Sequence, residues 1–338
     1  MAKTTGRLKQ FDFLAETRAG AIVCTGGFED RSVAFVAKLR KARCSVEKSM
    51  LLQYEGQIEE NEPNNRFLKR RLKTIIGKEP QLVSINADKP IGSLGRITRK
   101  IEDLLSRLSD RTVFVDVSGM THLLAIGTIH ACVSSGLRTF VVYTEAKSYF
   151  PQKRDQQKLI RAWKDEKYDI AVQYLQSAGL KAVQIIPAFA GNFRPGRQTC
   201  LMVFVGFEPN RIETLVDDYA PGVLIVFYGR SPHKEFRWRT RLSRELHNEL
   251  FSQWYVRQTE ISTLEVEDIL RKLEREFQVV KEQFDVAIAP QCSKLQALAS
   301  YLFWRRHPEV QLIFTSPVSF NPKRYSRGAR RTFVYEIS

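Results

Sequence analysis

A chain of 338 residues is long enough for two domains of ordinary size, each with its own core. Hydrophobic residues make up 43% and charged residues 27%, as in a globular protein, and no window reaches the roughly 18 to 20 unbroken apolar residues that a membrane span needs. The formal charge of +16 favours polyphosphate partners, nucleotide or nucleic acid, through counterion release; a basic coat without a partner is the plain alternative.

The first residues, MAKTTGRLKQFDF, contain no apolar core of a leader peptide, so a cytoplasmic protein with no membrane partner is expected. The five cysteines are an odd number and widely scattered, which predicts neither disulfides nor structural zinc, and no cofactor or metal site is expected. Short runs rich in branched and aromatic residues predict strands at 20–25, 49–54, 81–86, 112–117 and 138–144, each followed by a helical pattern. Helical stretches follow at 152–163 and 166–179, and PAFAGNFRPGRQT (187–199) reads as a linker. A second series of strands is predicted at 201–206, 223–228, 255–261, 284–289 and 310–315, with a last candidate in TFVYEI. Strand and helix alternate throughout. The fold class is therefore α/β, two tandem Rossmann-like domains with mainly parallel sheets covered by helices, divided as 1–190 and 191–338.

Three landmarks recur in register. GGFEDR (26–31) matches GFEPNR (206–211), SGMTHL (118–123) matches PQCSKL (290–295), and YTEAKSYFP (143–151) matches FTSPVSFNP (314–322), at offsets of 179, 172 and 171 residues. We read these as two copies of one ancestral unit. Each motif falls at a strand end, where open parallel sheets bind ligands and helix starts present free N–H groups. Gly27, Glu29 and Arg31 in the first copy, with Gly206, Glu208 and Arg211 in the second, are candidate ligand contacts; a Glu–Arg ion pair that fixes the first turn is the structural alternative. Ser118, Gly119, Thr121 and Ser293 stand at helix starts, where hydroxyls cap the helix or bind phosphate. His122 and Lys294 occupy matching positions in the first turn, where a cation opposes the helix dipole and an anion would compensate Lys294; a solvent-facing Lys is the alternative.

DVSGMTHLLAIG, in the fourth-strand position, resembles the Asp-x-Thr-Gly-Gly-Thr-Lys region of CRISPR-associated Rossmann fold (CARF) domains, and Cys292-Ser293-Lys294 resembles the end of the same motif. His122 stands where that family carries Lys, and the second copy lacks the Gly pair. The resemblance implies a sensor of cyclic oligonucleotides in prokaryotic antiviral defence, acting through a separate effector protein.

Two other readings stay open. Asp116 followed by Glu145-Ala-Lys147 spells the acid, acid-x-Lys order of metal-dependent nucleases, although an apolar helix separates the two parts and the second copy has Ser316 and Val318 at the matching places. No nucleophile elbow, Walker loop or zinc-protease motif occurs, so no other catalytic residue is assigned. A basic DNA- or RNA-binding component would use Lys69, Arg70 and Arg71, then Arg237, Arg239 and Arg241, and Lys323, Arg324, Arg327, Arg330 and Arg331, which mix cations with aromatics. Each cluster has the solvated helix or loop face as its alternative.

Overall fold

The computed structural model describes residues 8–10, 18–39, 44–56, 58–105, 108–252 and 256–337. Most of the N-terminal stretch read for a leader, and Tyr255 of the third strand in the second series, lie outside them. In chain order the elements are β1 (Leu8–Gln10), β2 (Arg18–Thr25), α1 (Ala34–Leu39), β3 (Ser45–Tyr54), α2 (Ile58–Ile76), β4 (Gln81–Ile85), α3 (Pro90–Leu105), β5 (Thr112–Asp116), α4 (His122–Ser134) and β6 (Arg138–Tyr149). There follow α5 (Gln156–Lys164), α6 (Tyr168–Val172), β7 (Ser177–Ala178) and β8 (Ala182–Ile185). The second series is β9 (Thr199–Val205), α7 (Pro209–Tyr219), β10 (Val223–Arg230), α8 (Trp238–Ser252), β11 (Val256–Ser262), α9 (Val266–Val280), β12 (Asp285–Pro290), α10 (Lys294–Arg306) and β13 (Gln311–Ser316). β14 (Ser319–Phe320) and β15 (Ser326–Ile337) end the chain.

All ten strands of the two expected series are present. Central strands are apolar along their whole length because helices cover both faces: β2 is buried from Ala19 to Thr25, and every residue of β12 is buried. Edge strands alternate instead, so β4 exposes Leu82 and Ser84 and buries Val83 and Ile85. α9 shows the helical counterpart, with Val266, Ile269, Leu270, Leu273, Phe277 and Val280 forming one buried stripe.

The chain divides into two compact units, Met1–Tyr149 with Ser326–Ser338, and Phe150–Tyr325. Among the described residues, the first unit holds a sheet ordered β1-β15-β6-β5-β2-β3-β4 and the second a sheet ordered β11-β10-β9-β12-β13-β8. Both contain the Rossmann-like order third-second-first-fourth-fifth, all parallel, with an antiparallel strand beside the fifth. In the first unit α1 packs with α2 and α3 with α4; in the second α7 packs with α8 and α9 with α10. The two helix pairs of each unit thus cover opposite sheet faces, and the strand order reverses between the first and fourth strands: β2 and β5, or β9 and β12.

The division near residue 190 is corrected by this pairing. β8 follows the first series in sequence but pairs with β13, and β15 follows the second series but pairs with β6. Each sheet therefore takes its antiparallel strand from the segment that follows the other series. The exchange is in register with a sequence landmark: Ser326 stands opposite Tyr149, and Ser177 opposite Phe320. Composition could not reveal it, because β8 is three half-exposed residues and the exposed Ile185, with little alternation.

Candidate functional site

In the first unit two glycines bring the strand-end loops into contact. β2 ends in Thr25-Gly26-Gly27, and a Cβ on Gly27 would stand 2.8 Å from the Gly119 carbonyl oxygen, while one on Gly119 would stand 2.8 Å from that of Thr25. Both glycines serve loop-to-loop contact between the β2 and β5 ends. The Gly27 carbonyl also accepts from Asn64 Nδ2 at 2.5 Å.

Glu29 and Arg31 form a bidentate pair, with Arg31 Nε 3.1 Å from Oε1 and Nη2 3.0 Å from Oε2. Arg31 Nη1 donates to Tyr143 Oη at 3.0 Å, and the Ser326 hydroxyl donates to Glu29. Burial alone would lower the Arg31 pKa; Glu29, Tyr143 and Tyr149 outweigh it and raise it. The second unit repeats the arrangement: Arg211 Nη2 lies 2.9 Å from Glu208 Oε2, and Ser177 Oγ donates to Glu208 Oε1 at 2.9 Å. In both units the motif's carboxylate is held by the serine that opens the exchanged antiparallel segment. The two Glu–Arg motifs are thus turn-fixing ion pairs, joined to the neighbouring strand.

Asp116, 1% exposed, accepts from the Ser118 backbone N–H at 3.0 Å through Oδ1. Its Oδ2 is enclosed without a hydrogen-bond partner. Burial pushes its carboxyl up to about 7, against the opposing pull of Ser118 and Arg31. Ser118 Oγ accepts from the Thr144 N–H at 2.9 Å. Glu145 is also buried while Lys147 is exposed, and no group of three or more His, Cys, Asp or Glu able to hold a metal occurs among the described residues. Asp116 and Glu145 lie on the adjoining strands β5 and β6, with Asp116 opposite Val142.

The expected helix starts are real caps. Thr121 Oγ1 accepts from the Leu124 N–H at 3.2 Å, and the Thr121 N–H donates to Tyr54 Oη at 2.8 Å, a contact the sequence did not signal. His122 begins α4 and is half-buried. In the second unit Ser293 caps α10 by accepting from Gln296 N at 3.1 Å, and Gln296 Oε1 accepts from the Ser293 N–H at 2.9 Å. Ser293 Oγ donates to the Thr263 carbonyl at 2.8 Å, fixing this turn against the end of β11.

The strand-end loops of the second unit are partly exposed at Gly206, Phe207, Glu208 and Gln291 to Lys294; at the matching places of the first unit Phe28, Glu29, Gly119 and His122 are partly exposed and Thr121 is exposed, while Gly27 and Met120 are buried. A Cβ on Gly206 would meet just the Glu208 Oε2 tip, at 3.3 Å. Gln291 Nε2 is enclosed and has no hydrogen-bond partner. Burial pushes the Cys292 thiol up to about 11, which leaves it protonated and a poor nucleophile.

The basic residues divide by environment. Lys69 and Arg70 are exposed on α2, where Arg71 lies 5.8 Å over the Phe67 ring. Arg237 and Arg241 are exposed on and beside α8, but Arg239 turns inward, donating to the carbonyls of Pro151 and Phe150 at 2.6 and 2.8 Å and lying 4.5 Å over Phe207. Lys323 is exposed, while Arg324 lies over Phe150 and Tyr174 and pairs with Asp155 at 3.6 Å. Arg327, Arg330 and Arg331 are exposed along β15 in the first unit.

No protein-family model and no curated protein matches the chain. Among solved structures, a Type III CRISPR defence DNA nuclease activated by cyclic oligoadenylate superposes with a TM-score of 0.51 at 10% identity, covering 92% of this chain and 68% of that one. The similarity establishes the fold, two Rossmann-like domains. UDP-GlcNAc 2-epimerases from Neisseria meningitidis (10% identity, 87% of each chain, TM-score 0.24) and Methanocaldococcus jannaschii (10% identity, 91% and 90%, TM-score 0.26) superpose too loosely for inference. No described helix is long and apolar enough to cross a membrane.

Proposed function

We propose that this chain is a CARF-type nucleotide sensor of a prokaryotic defence system, taking a cyclic or linear oligonucleotide at the strand-end loops of its second unit and passing the signal to a separate effector protein. The carrying observation is the turn at the start of α10, where the partly exposed Lys294 adds its charge to the N–H groups of the first helical turn that the Ser293 cap leaves over. That combination suits a phosphate group. The fold shared with a nuclease that cyclic oligoadenylate activates supports the ligand class. The common strand order, the three sequence landmarks and the serine-to-glutamate contact repeated in both units support an origin by tandem duplication.

The ion pairs of Glu29 with Arg31 and Glu208 with Arg211 hold the loops, and Ser293 caps the helix beneath the ligand. Titration with cyclic tetra-adenylate and with linear oligoadenylate tests the reading. Replacing Lys294 with Ala should weaken binding by about tenfold, the usual loss for a charged hydrogen bond to phosphate. Absence of binding by the unaltered chain, or equal affinity in the variant, would sink it.

A further inference from the structure

Arg239, which the sequence groups with Arg237 and Arg241, lies at the strand ends of the second unit. It stands in the first turn of α8, and that turn is fixed by Thr240, whose hydroxyl donates to the Gly229 carbonyl at the end of β10 at 2.8 Å. Its guanidinium carbon is 4.5 Å from the centre of the Phe207 ring, in the loop after β9. Cys292, in the loop after β12, is close by: a Cβ on Gly229 would stand 3.4 Å from its Sγ, and burial pushes its thiol up against the pull of the Arg239 charge. Arg239 thus stands beside the loops of β9 and β12, the two strands between which the order reverses and beyond which open α/β sheets take ligands.

The same guanidinium clamps backbone. Nη1 donates to the Pro151 carbonyl at 2.6 Å and Nη2 to the Phe150 carbonyl at 2.8 Å. Phe150 is the residue at which the chain enters the second unit, and its carbonyl also accepts from Gln176 Nε2 at 3.1 Å. Both acceptors of the clamp are neutral, whereas a phosphate oxygen accepts from a guanidinium in a shorter bond of roughly twice the strength. The planar fork that spans two carbonyls also fits two phosphate oxygens. Phe207, packed against the apolar cluster of Leu159 and Leu242, is a fixed seat over which the guanidinium can turn.

We propose that Arg239 is a ligand-binding residue that trades the Phe150 and Pro151 carbonyls for a phosphate of the bound oligonucleotide, so that occupancy of the site releases the segment opening the second unit. This role of Arg239 rests on the sensor reading and deepens it, giving the site a second cation in addition to Lys294. With one phosphate at the α10 turn and another on Arg239, the ligand carries at least two phosphates, which selects an oligonucleotide over a nucleoside monophosphate.

Hydrogen exchange of the full chain, read at the Phe150, Gln152 and Asp155 amides together with binding isotherms, tests the proposal. These N–H groups donate to the Tyr325 carbonyl, the Asp155 carboxylate and the Gln152 carbonyl, and so report the order of the segment. Saturating cyclic tetra-adenylate should speed their exchange, while adenosine monophosphate should not. R239Q should show the faster exchange without ligand and bind cyclic tetra-adenylate about tenfold more weakly, the usual loss for a charged hydrogen bond. Q176A loosens the Phe150 carbonyl while leaving Arg239 in place, so it should speed exchange without weakening ligand binding. Equal loss of affinity in Q176A and R239Q would trace the effect to a loosened segment and overturn the proposal, as would binding of cyclic tetra-adenylate with no change in exchange; both outcomes leave the sensor reading standing. Absence of binding by the unaltered chain would overturn both.

Discussion

Two buried titratable side chains, one per unit, respond to pH with opposite signs. Asp116 has its carboxyl pushed up to about 7 from an ordinary 3.8. The folded chain therefore keeps a proton that the unfolded chain has lost, and its stability falls as pH rises from about 4 through 7, by at most about 4 kcal/mol. His247, stacked on Phe251 with its Nδ1 donating to the Ser243 carbonyl, is held down to about 4 from 6.5 by burial. Here the unfolded chain takes up the proton first, so stability is present above about 6.5 and is lost as pH falls towards 4. The two windows overlap, and the unaltered protein should show a shallow profile that single variants unmask. Asp116→Asn keeps an oxygen for the Ser118 N–H and removes the ionisation; its gain in Tm over the parent should grow from pH 5 to pH 8. His247→Gln should flatten the acid side. A gain from Asp116→Asn that does not change with pH would mean that the carboxyl ionises freely in the folded state.

At the scale of elements, the exchanged strand β15 decides whether the first unit is complete. It buries Phe333, Val334, Tyr335 and Ile337, and pairs with β6 from Ser326 to Ile337 apart from an irregularity between Ala329 and Thr332. A chain ending at Tyr325 would leave β6 as an apolar edge and remove the serine that holds Glu29. Amide exchange should then show lost protection in β5 and β6, with β9, β10 and β12 still protected. Uniform protection in the truncated chain would show that β15 is dispensable. The sequence displayed the ten series strands because their runs of Val, Ile, Leu and Phe are set by burial between helix layers, and it displayed the caps Thr121 and Ser293 because a hydroxyl before a helix has a local role. The pairing of β8 and β15 was not legible, since a partner strand's identity depends on residues far along the chain.

For the molecule as a whole, exchange means that the loop between the two series is not what holds the chain together. Residues 192–196 are exposed, and Gly196, at φ +78° with open space around it, marks a turn that tolerates a cut. A protease site inserted after Gly196 would yield two fragments, each with a strand in a sheet whose other members belong largely to its partner: β8 beside β13, and β15 beside β6. The N-terminal fragment would also keep α5 packed against α8 through Leu159, Ala162, Leu242 and Leu246. Four ladders, β8 with β13, β15 with β6 and β1, and β7 with β14, and an apolar seam must all be broken for the fragments to part, and each ladder has its polar backbone satisfied by the other fragment. The nicked protein should therefore elute as one species in native buffer and separate once denaturant unfolds the sheets. Salt alone should not release it, because the junctions are mainly hydrogen-bonded and apolar. Separation of the fragments in native buffer would show that covalent continuity, and not the exchanged strands, joins the two series.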